Sequence, residues 1–172
     1  FQIASNTKAF TATVALQLEQ QKLLDLDAPI RHANPAFRMI DPAGSEMLTP
    51  RDQLSHRTGL PGHDRITFRA PNRTALMDAV AYLAMDKPVR YMPGEYNNMM
   101  LVAAGVVEEA VTGRAWEELV TDRILIPLNM SSTFPNWTSV PPAEAARLAI
   151  PYRHGNVATR DNVDAAAPCG AM

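Results

Sequence analysis

The stretch Phe1-Gln2-Ile3-Ala4-Ser5-Asn6-Thr7-Lys8-Ala9-Phe10-Thr11-Ala12 decides how the rest of the chain is read. From Ser5 to Gln21 apolar residues recur at helical spacing. Phe10, Val14 and Leu18 fall on one face, and Ala12, Ala15 and Leu16 widen it. Ser5 stands where an N-cap belongs. Residues three apart are neighbours on a helix surface, so Ser5 and Lys8 can meet. A serine hydroxyl is a weak nucleophile until a base takes its proton. A lysine can be that base once burial disfavours its charge, and the positive end of a helix acts the same way. That helix end also offers backbone N–H groups to a developing oxyanion. Alone, this four-residue pattern recurs by chance, and its plainer reading is a capped helix with a solvated lysine. The rest of the chain has to decide.

Working outward, Pro29 ends the continuation of the first helix, and residues 31–47 read as loop. Thr49-Pro50-Arg51-Asp52 is a compact helix start, with a capping threonine, proline at the first helical position and an acid two further on. Thr58-Gly59-Leu60-Pro61-Gly62 is turn chemistry. A helix is expected over Thr74 to Met85. Another, apolar on several faces and therefore buried, is expected over Met99 to Val111, stopped by Thr112-Gly113. A fifth is expected over Trp116 to Leu125, ended by Pro127. Beyond residue 131 the pattern dissolves into loops or short strands, with Leu148-Ala149-Ile150 the best strand candidate.

Composition removes several functions. The 172 residues carry a formal net charge of −2, with 47% hydrophobic and 20% charged residues, which is ordinary globular usage. No basic face for nucleic acid is supplied. No apolar run reaches the roughly 18 residues needed to span a bilayer. One cysteine, Cys169, cannot close an internal disulfide, and it reads as a small loop residue. His56, His63 and Asp64 fit no standard ligand spacing, so no metal and no cofactor is expected.

A second element follows downstream of Ser5-x-x-Lys8. Tyr96-Asn97-Asn98 is a Y-x-N tripeptide set after Pro93-Gly94-Glu95 and before the buried helix. With it the resemblance becomes specific, because S-x-x-K is a signature of β-lactamases and penicillin-binding proteins. The opening run resembles the active-site segment of the serine β-lactamase-related family, which includes class C β-lactamases, D-alanyl-D-alanine carboxypeptidases and related esterases. Leu48 to Pro61 is similar to the family segment ending in LLSHTSGLP. Val106-Val107-Glu108 through Thr112-Gly113, then Ile126-Pro127-Leu128-Asn129-Met130, resemble its helix pair and the PLGM segment after it. Pro168-Cys169-Gly170-Ala171-Met172 resembles its PAGGM stretch. The matches fall in family order over nearly the whole chain.

The resemblance implies an α/β (α+β) fold of the serine β-lactamase/DD-peptidase type. It implies that Ser5 is the acyl-accepting nucleophile, that Lys8 assists its deprotonation, and that the Tyr96 hydroxyl relays the proton to the leaving group. Asn98 would offer its amide to the substrate's acyl carbonyl, or simply cap the helix that follows. Tyr96 also has a plainer reading as a half-buried packing residue. The implied reaction is acyl transfer on a small-molecule or peptide amide or ester. A non-catalytic sensor or scaffold that kept the motifs is the alternative.

The third family triplet, H-T-G or K-T-G, is absent. The lysines are Lys8, Lys22 and Lys87, and none precedes Thr-Gly. Only four residues come before Ser5. The expectation is therefore that residues 1–172 form a partial domain, a helix-rich fragment lacking most of the central antiparallel sheet. Little turnover and low stability are expected of it alone. The resemblance implies a periplasmic or secreted setting. The residues themselves fix neither compartment nor oligomeric state.

Overall fold

The computed structural model describes residues 1–159, 162–170 and 172. A tight 3-10 turn over Ala4–Thr7 leads into helix α1, Lys8–Gln20. Ser5 therefore lies inside a turn and is not an N-cap, and no side chain caps either segment. Thr11, Val14, Ala15 and Leu18 of α1 are buried. Leu16, expected on the apolar face, is 54% exposed, because at about 100° per residue it lies on the side of the helix away from buried Val14 and Leu18.

Residues 31–47 are not one loop. They hold two short helices, α2 (Ile30–Ala33) and α3 (Pro42–Met47). Asp41 caps α3 by accepting from the Ala43 N–H, with Pro42 in the first turn. Helix α4, Pro50–Leu54, begins as expected: Thr49 and Asp52 form a reciprocal capping box. Asp52 is fully buried and is also approached by Arg57 and Arg90, at 3.5 and 3.1 Å.

Helix α5 spans Asp64–Thr67 and α6 spans Arg73–Val80. The expected Thr74–Met85 helix thus starts a residue earlier, where Asn72 caps it, and stops at Val80. Helix α7, Asn98–Thr112, is the buried strut of the molecule. Ten of its residues are buried, from Asn98 to Glu108, and Gly113 ends it in the left-handed conformation at φ 68°. Arg73 ties α6 to this strut by pairing with Glu109 at 2.6 Å and, more closely still, with Glu117. Helix α8, Trp116–Val120, runs on into a widened π turn over Thr121–Leu125. The expected fifth helix is therefore helical throughout, with a wider second half.

Leu148-Ala149-Ile150 is not a strand. The chain there leaves helix α9, Pro142–Ala145, through a bend. The strand pair comes just after it, with Tyr152 opposite Val157 and Arg153 opposite Asn156. His154 and Gly155 join the strands with φ of 52° and 80°, the positive values that a tight two-residue hairpin turn requires. Asp164–Ala166 forms a 3-10 turn into α10, Ala167–Gly170. Cys169 thus sits in a short buried helix and not in a loop. Ala171 lies outside the described residues. Among the described residues the protein is helix-rich with one small two-stranded sheet, and no helix is long and apolar enough to cross a membrane.

One contact brings the two ends of the chain together. At Gly105 of α7 a Cβ atom would stand 2.6 Å from Pro168 Cγ, so glycine lets α10 lie directly on α7. The buried Thr11 hydroxyl donates to the Pro168 carbonyl at 2.6 Å and accepts from the Trp116 indole at 3.1 Å. This closes α1, α8 and α10 around one satisfied polar group. The next carbonyl along α10, that of Cys169, is thereby aimed at Lys8.

Candidate active site

Ser5 is exposed at the start of the first helical segment. Ala4 before it is held at φ 47°, a value rare for a residue with a Cβ, so the chain turns sharply just ahead of the hydroxyl. Lys8 Nζ donates to Ser5 Oγ at 3.0 Å, the neighbour contact expected from their spacing. Tyr96, distant in sequence, donates its hydroxyl to the same Oγ at 2.7 Å. The structure therefore brings Ser5, Lys8 and Tyr96 together. Tyr96 is half-buried, 52% exposed, and does more than pack, since its hydroxyl rests on Ser5.

Lys8 has two further partners, Asn98 Oδ1 at 2.6 Å and the Cys169 carbonyl at 2.9 Å. Both can only accept, whereas Ser5 Oγ can accept or donate. The same geometry thus serves two protonation states. An ammonium donates to all three partners. A free amine keeps its two N–H bonds and turns its lone pair to the Ser5 O–H. The Lys8 nitrogen also lies 4.8 Å from the centre of the Tyr96 ring.

Asn98 does not cap the helix that follows it. The cap of α7 is Asn97, whose Oδ1 accepts from the Met100 N–H at 2.8 Å. Asn97 Nδ2 also donates to the carbonyls of Leu60 and Pro61, at 2.9 and 2.7 Å. This fastens the Leu60–Pro61 turn to the start of α7. Asn98, 6% exposed, reaches Lys8 with its oxygen and donates from Nδ2 to Asp64 Oδ1 at 2.8 Å.

His56 and Asp64 are thus drawn to the rim of this cluster. His56 Nδ1 accepts from the Asn97 backbone N–H at 3.2 Å, and its ring packs on Tyr96 with centres 4.5 Å apart. Burial, with the Lys8 charge adding to it, pushes the His56 pKa below its ordinary 6.5. The neutral ring is the form that can accept from Asn97. Gly94, at φ 91°, permits the close pass of this loop, since a Cβ there would stand 2.9 Å from the His56 carbonyl. Burial pushes the Cys169 thiol up to about 12, so the sulfur stays protonated and only its carbonyl takes part. Sequence reasoning did not find Asp64 or the Cys169 carbonyl as site groups. Asp64 was visible only as a would-be metal ligand, and a backbone carbonyl carries no residue signature.

A helical layer that presents a serine hydroxyl to a lysine one turn on, with a tyrosine delivered from just before a buried helix, defines the class. The fold is that of the serine β-lactamase and DD-peptidase proteins, and its solved neighbours include hydrolases. The chain belongs to the Beta-lactamase family, whose profile matches residues 1–171. It is similar to the D-amino acid amidase of Ochrobactrum anthropi SV3, solved in complex with L-phenylalanine. That match has 29% identity and a TM-score of 0.78, and covers 99% of this chain and 49% of that one. It is 30% identical over 136 residues to Protein flp of Staphylococcus aureus (strain MW2), covering 77% of this chain and 27% of the relative. It is 28% identical over 156 residues to penicillin-binding protein 4 of Amycolatopsis lactamdurans, covering 90% and 39%. The chain therefore spans about half the length of the solved relative and well under half of the curated ones.

Proposed function

We propose that this chain carries the nucleophile of a serine hydrolase that works through an acyl-enzyme on an amide or ester bond. The observation that carries the proposal is the convergence of Lys8 Nζ and the Tyr96 hydroxyl on one serine oxygen, at 3.0 and 2.7 Å. In the proposed reaction Ser5 Oγ attacks the acyl carbon as its proton moves to the free Lys8 amine. The O–C bond forms, and the bond from the acyl carbon to the leaving nitrogen or oxygen breaks. The leaving group takes a proton from the Tyr96 hydroxyl, and the tyrosinate so formed regains one from the Lys8 ammonium beside it. Water then reverses the sequence and frees the acid. Holding the base and the relay on the nucleophile in advance is worth several powers of ten in rate.

The relatives, an amidase and a penicillin-binding protein among them, support an acyl substrate of this class. A β-lactam, a D-alanyl peptide and a simple ester all present the acyl carbon this site would attack. The rival is a receptor that is acylated and not turned over. Its support is the name of the penicillin-binding relative. One experiment separates the two. The protein is incubated with a fluorescent penicillin and with p-nitrophenyl acetate, and followed by product release and intact mass. Ser5→Ala should abolish both product and adduct. Product release far beyond one equivalent supports the hydrolase, and a lasting adduct on Ser5 supports the receptor. An unchanged rate in Ser5→Ala would overturn both.

A further inference from the structure

Asn98 sits between two partners of opposite kind. Its oxygen accepts from Lys8 at 2.6 Å and its nitrogen donates to Asp64 at 2.8 Å. The two ends of a primary amide have nearly the same shape, so the neighbours decide which end faces which way. A carboxylate can only accept. Turning the Asn98 amide over would set its oxygen against the carboxylate and its NH2 against the Lys8 N–H groups. Both hydrogen bonds would be replaced by repulsions. Lys8 alone cannot guarantee the orientation during the proposed reaction, because a free amine is a weaker donor than an ammonium. Asp64 keeps its hold whichever form Lys8 takes.

Asp64 is well placed to hold. It is the first residue of α5, and its carbonyl accepts from the Phe68 N–H at 2.9 Å. Buried Thr67 anchors the far end of that turn by donating to the His63 carbonyl at 3.0 Å. We infer that Asp64 is a positioning residue: it locks the Asn98 amide so that the carbonyl stays on Lys8 throughout acylation of Ser5. One Nδ2–H of Asn98 remains unused by this contact and free to meet the substrate's acyl group. The inference rests on the reading of Ser5 as nucleophile.

The test uses the full chain with p-nitrophenyl acetate as probe, comparing Asp64→Ala, Asp64→Asn and Ser5→Ala. Asp64→Ala should slow acylation at saturating probe by about tenfold, the scale of losing one hydrogen bond to a charged group. Its KM should move less than about twofold. Asp64→Asn should recover most of the rate, because the new amide still offers an oxygen to Asn98. A merely structural role would not produce that rescue together with an unmoved KM. A wild-type rate in Asp64→Ala, or an equal loss in Asp64→Asn, overturns the inference. A second readout is independent of chemistry. The two Asn98 side-chain N–H resonances should be widely split in the wild type and in Asp64→Asn, and should draw together in Asp64→Ala. If they do not, the inference fails even where the rates agree. If no variant is acylated, or Ser5→Ala is acylated as fast as wild type, the nucleophile reading fails and the resonances alone judge Asp64.

Discussion

Helix α7 buries polar side chains near both of its ends and treats them in opposite ways. At its start, Asn97 is fully buried and Asn98 nearly so, and every amide nitrogen and oxygen of the pair has a partner. Towards its end, Glu108 is 1% exposed, and neither carboxyl oxygen has a hydrogen-bond partner among the described residues. Burial therefore pushes the Glu108 pKa well up, with Glu109 beside it adding to the effect and Arg123 opposing it. A satisfied buried group fixes a geometry, whereas an unsatisfied one holds on to its proton instead. The first end can position a reaction. The second costs stability and positions nothing the structure shows.

The largest expected effect comes from breaking the satisfied end. Asn97→Ala removes the α7 cap and both bonds to the Leu60–Pro61 turn. The loss should be about 2–4 kcal/mol, the sum of a cap and buried carbonyls left without donors. Urea denaturation measures it. A loss under about 0.5 kcal/mol would mean that packing of α7, and not its hydrogen bonds, specifies this end.

The same two ends show how far the sequence could be read. The buried strut and its Gly113 stop follow from apolar residues on several faces and from a glycine free to take positive φ. The cap did not resolve, because Asn97 and Asn98 are adjacent and chemically identical, and only the fold shows which one faces the helix. Helix α3 is announced by Asp41-Pro42, which carries the same cap-then-proline signal as Thr49-Pro50, although the residues around it read as loop. In the site, Ser5 and Lys8 are linked by local helix geometry, and Tyr96 stood out by its tripeptide. The bond from Asn98 to Asp64 spans 34 residues and depends on where α5 docks, which no spacing encodes. Leu148-Ala149-Ile150 is the best strand candidate by sequence, a short aliphatic run, but α9 and the bend after it set the backbone there.

The unsatisfied end makes the next prediction, through pH. An unfolded glutamate ionises near 4.5, whereas folded Glu108 keeps its proton to higher pH. Above pH 4.5 the unfolded state gives up a proton that the folded state retains. Stability then falls as pH rises, by up to about 1.4 kcal/mol per pH unit, until the folded carboxyl also ionises. Glu108→Gln should remove this slope whatever its effect on absolute stability. Denaturation midpoints from pH 4 to 8 give the answer. A wild-type slope no steeper than that of the variant would show that Glu108 finds a partner after all.

The smallest effect lies back at the satisfied end and has the opposite sign. His56 accepts from Asn97 only while neutral, and its folded pKa lies below the ordinary 6.5. As pH falls below 6.5 the unfolded state takes up a proton that the folded state refuses, so stability is lost downwards until the folded ring also protonates. The ring is only partly buried and screened by solvent, so the total should stay under about 0.5 kcal/mol. Between pH 4.5 and 6.5 the slopes of Glu108 and His56 oppose each other, and the wild type would hide the weaker one. It should emerge in the Glu108→Gln background and vanish when His56→Phe is added, since phenylalanine keeps a ring against Tyr96 but accepts nothing from Asn97. Other titrating groups are common to both proteins and cancel in the difference. A slope that survives His56→Phe would belong elsewhere, and the Asn97–His56 bond would then be a contact without energetic weight.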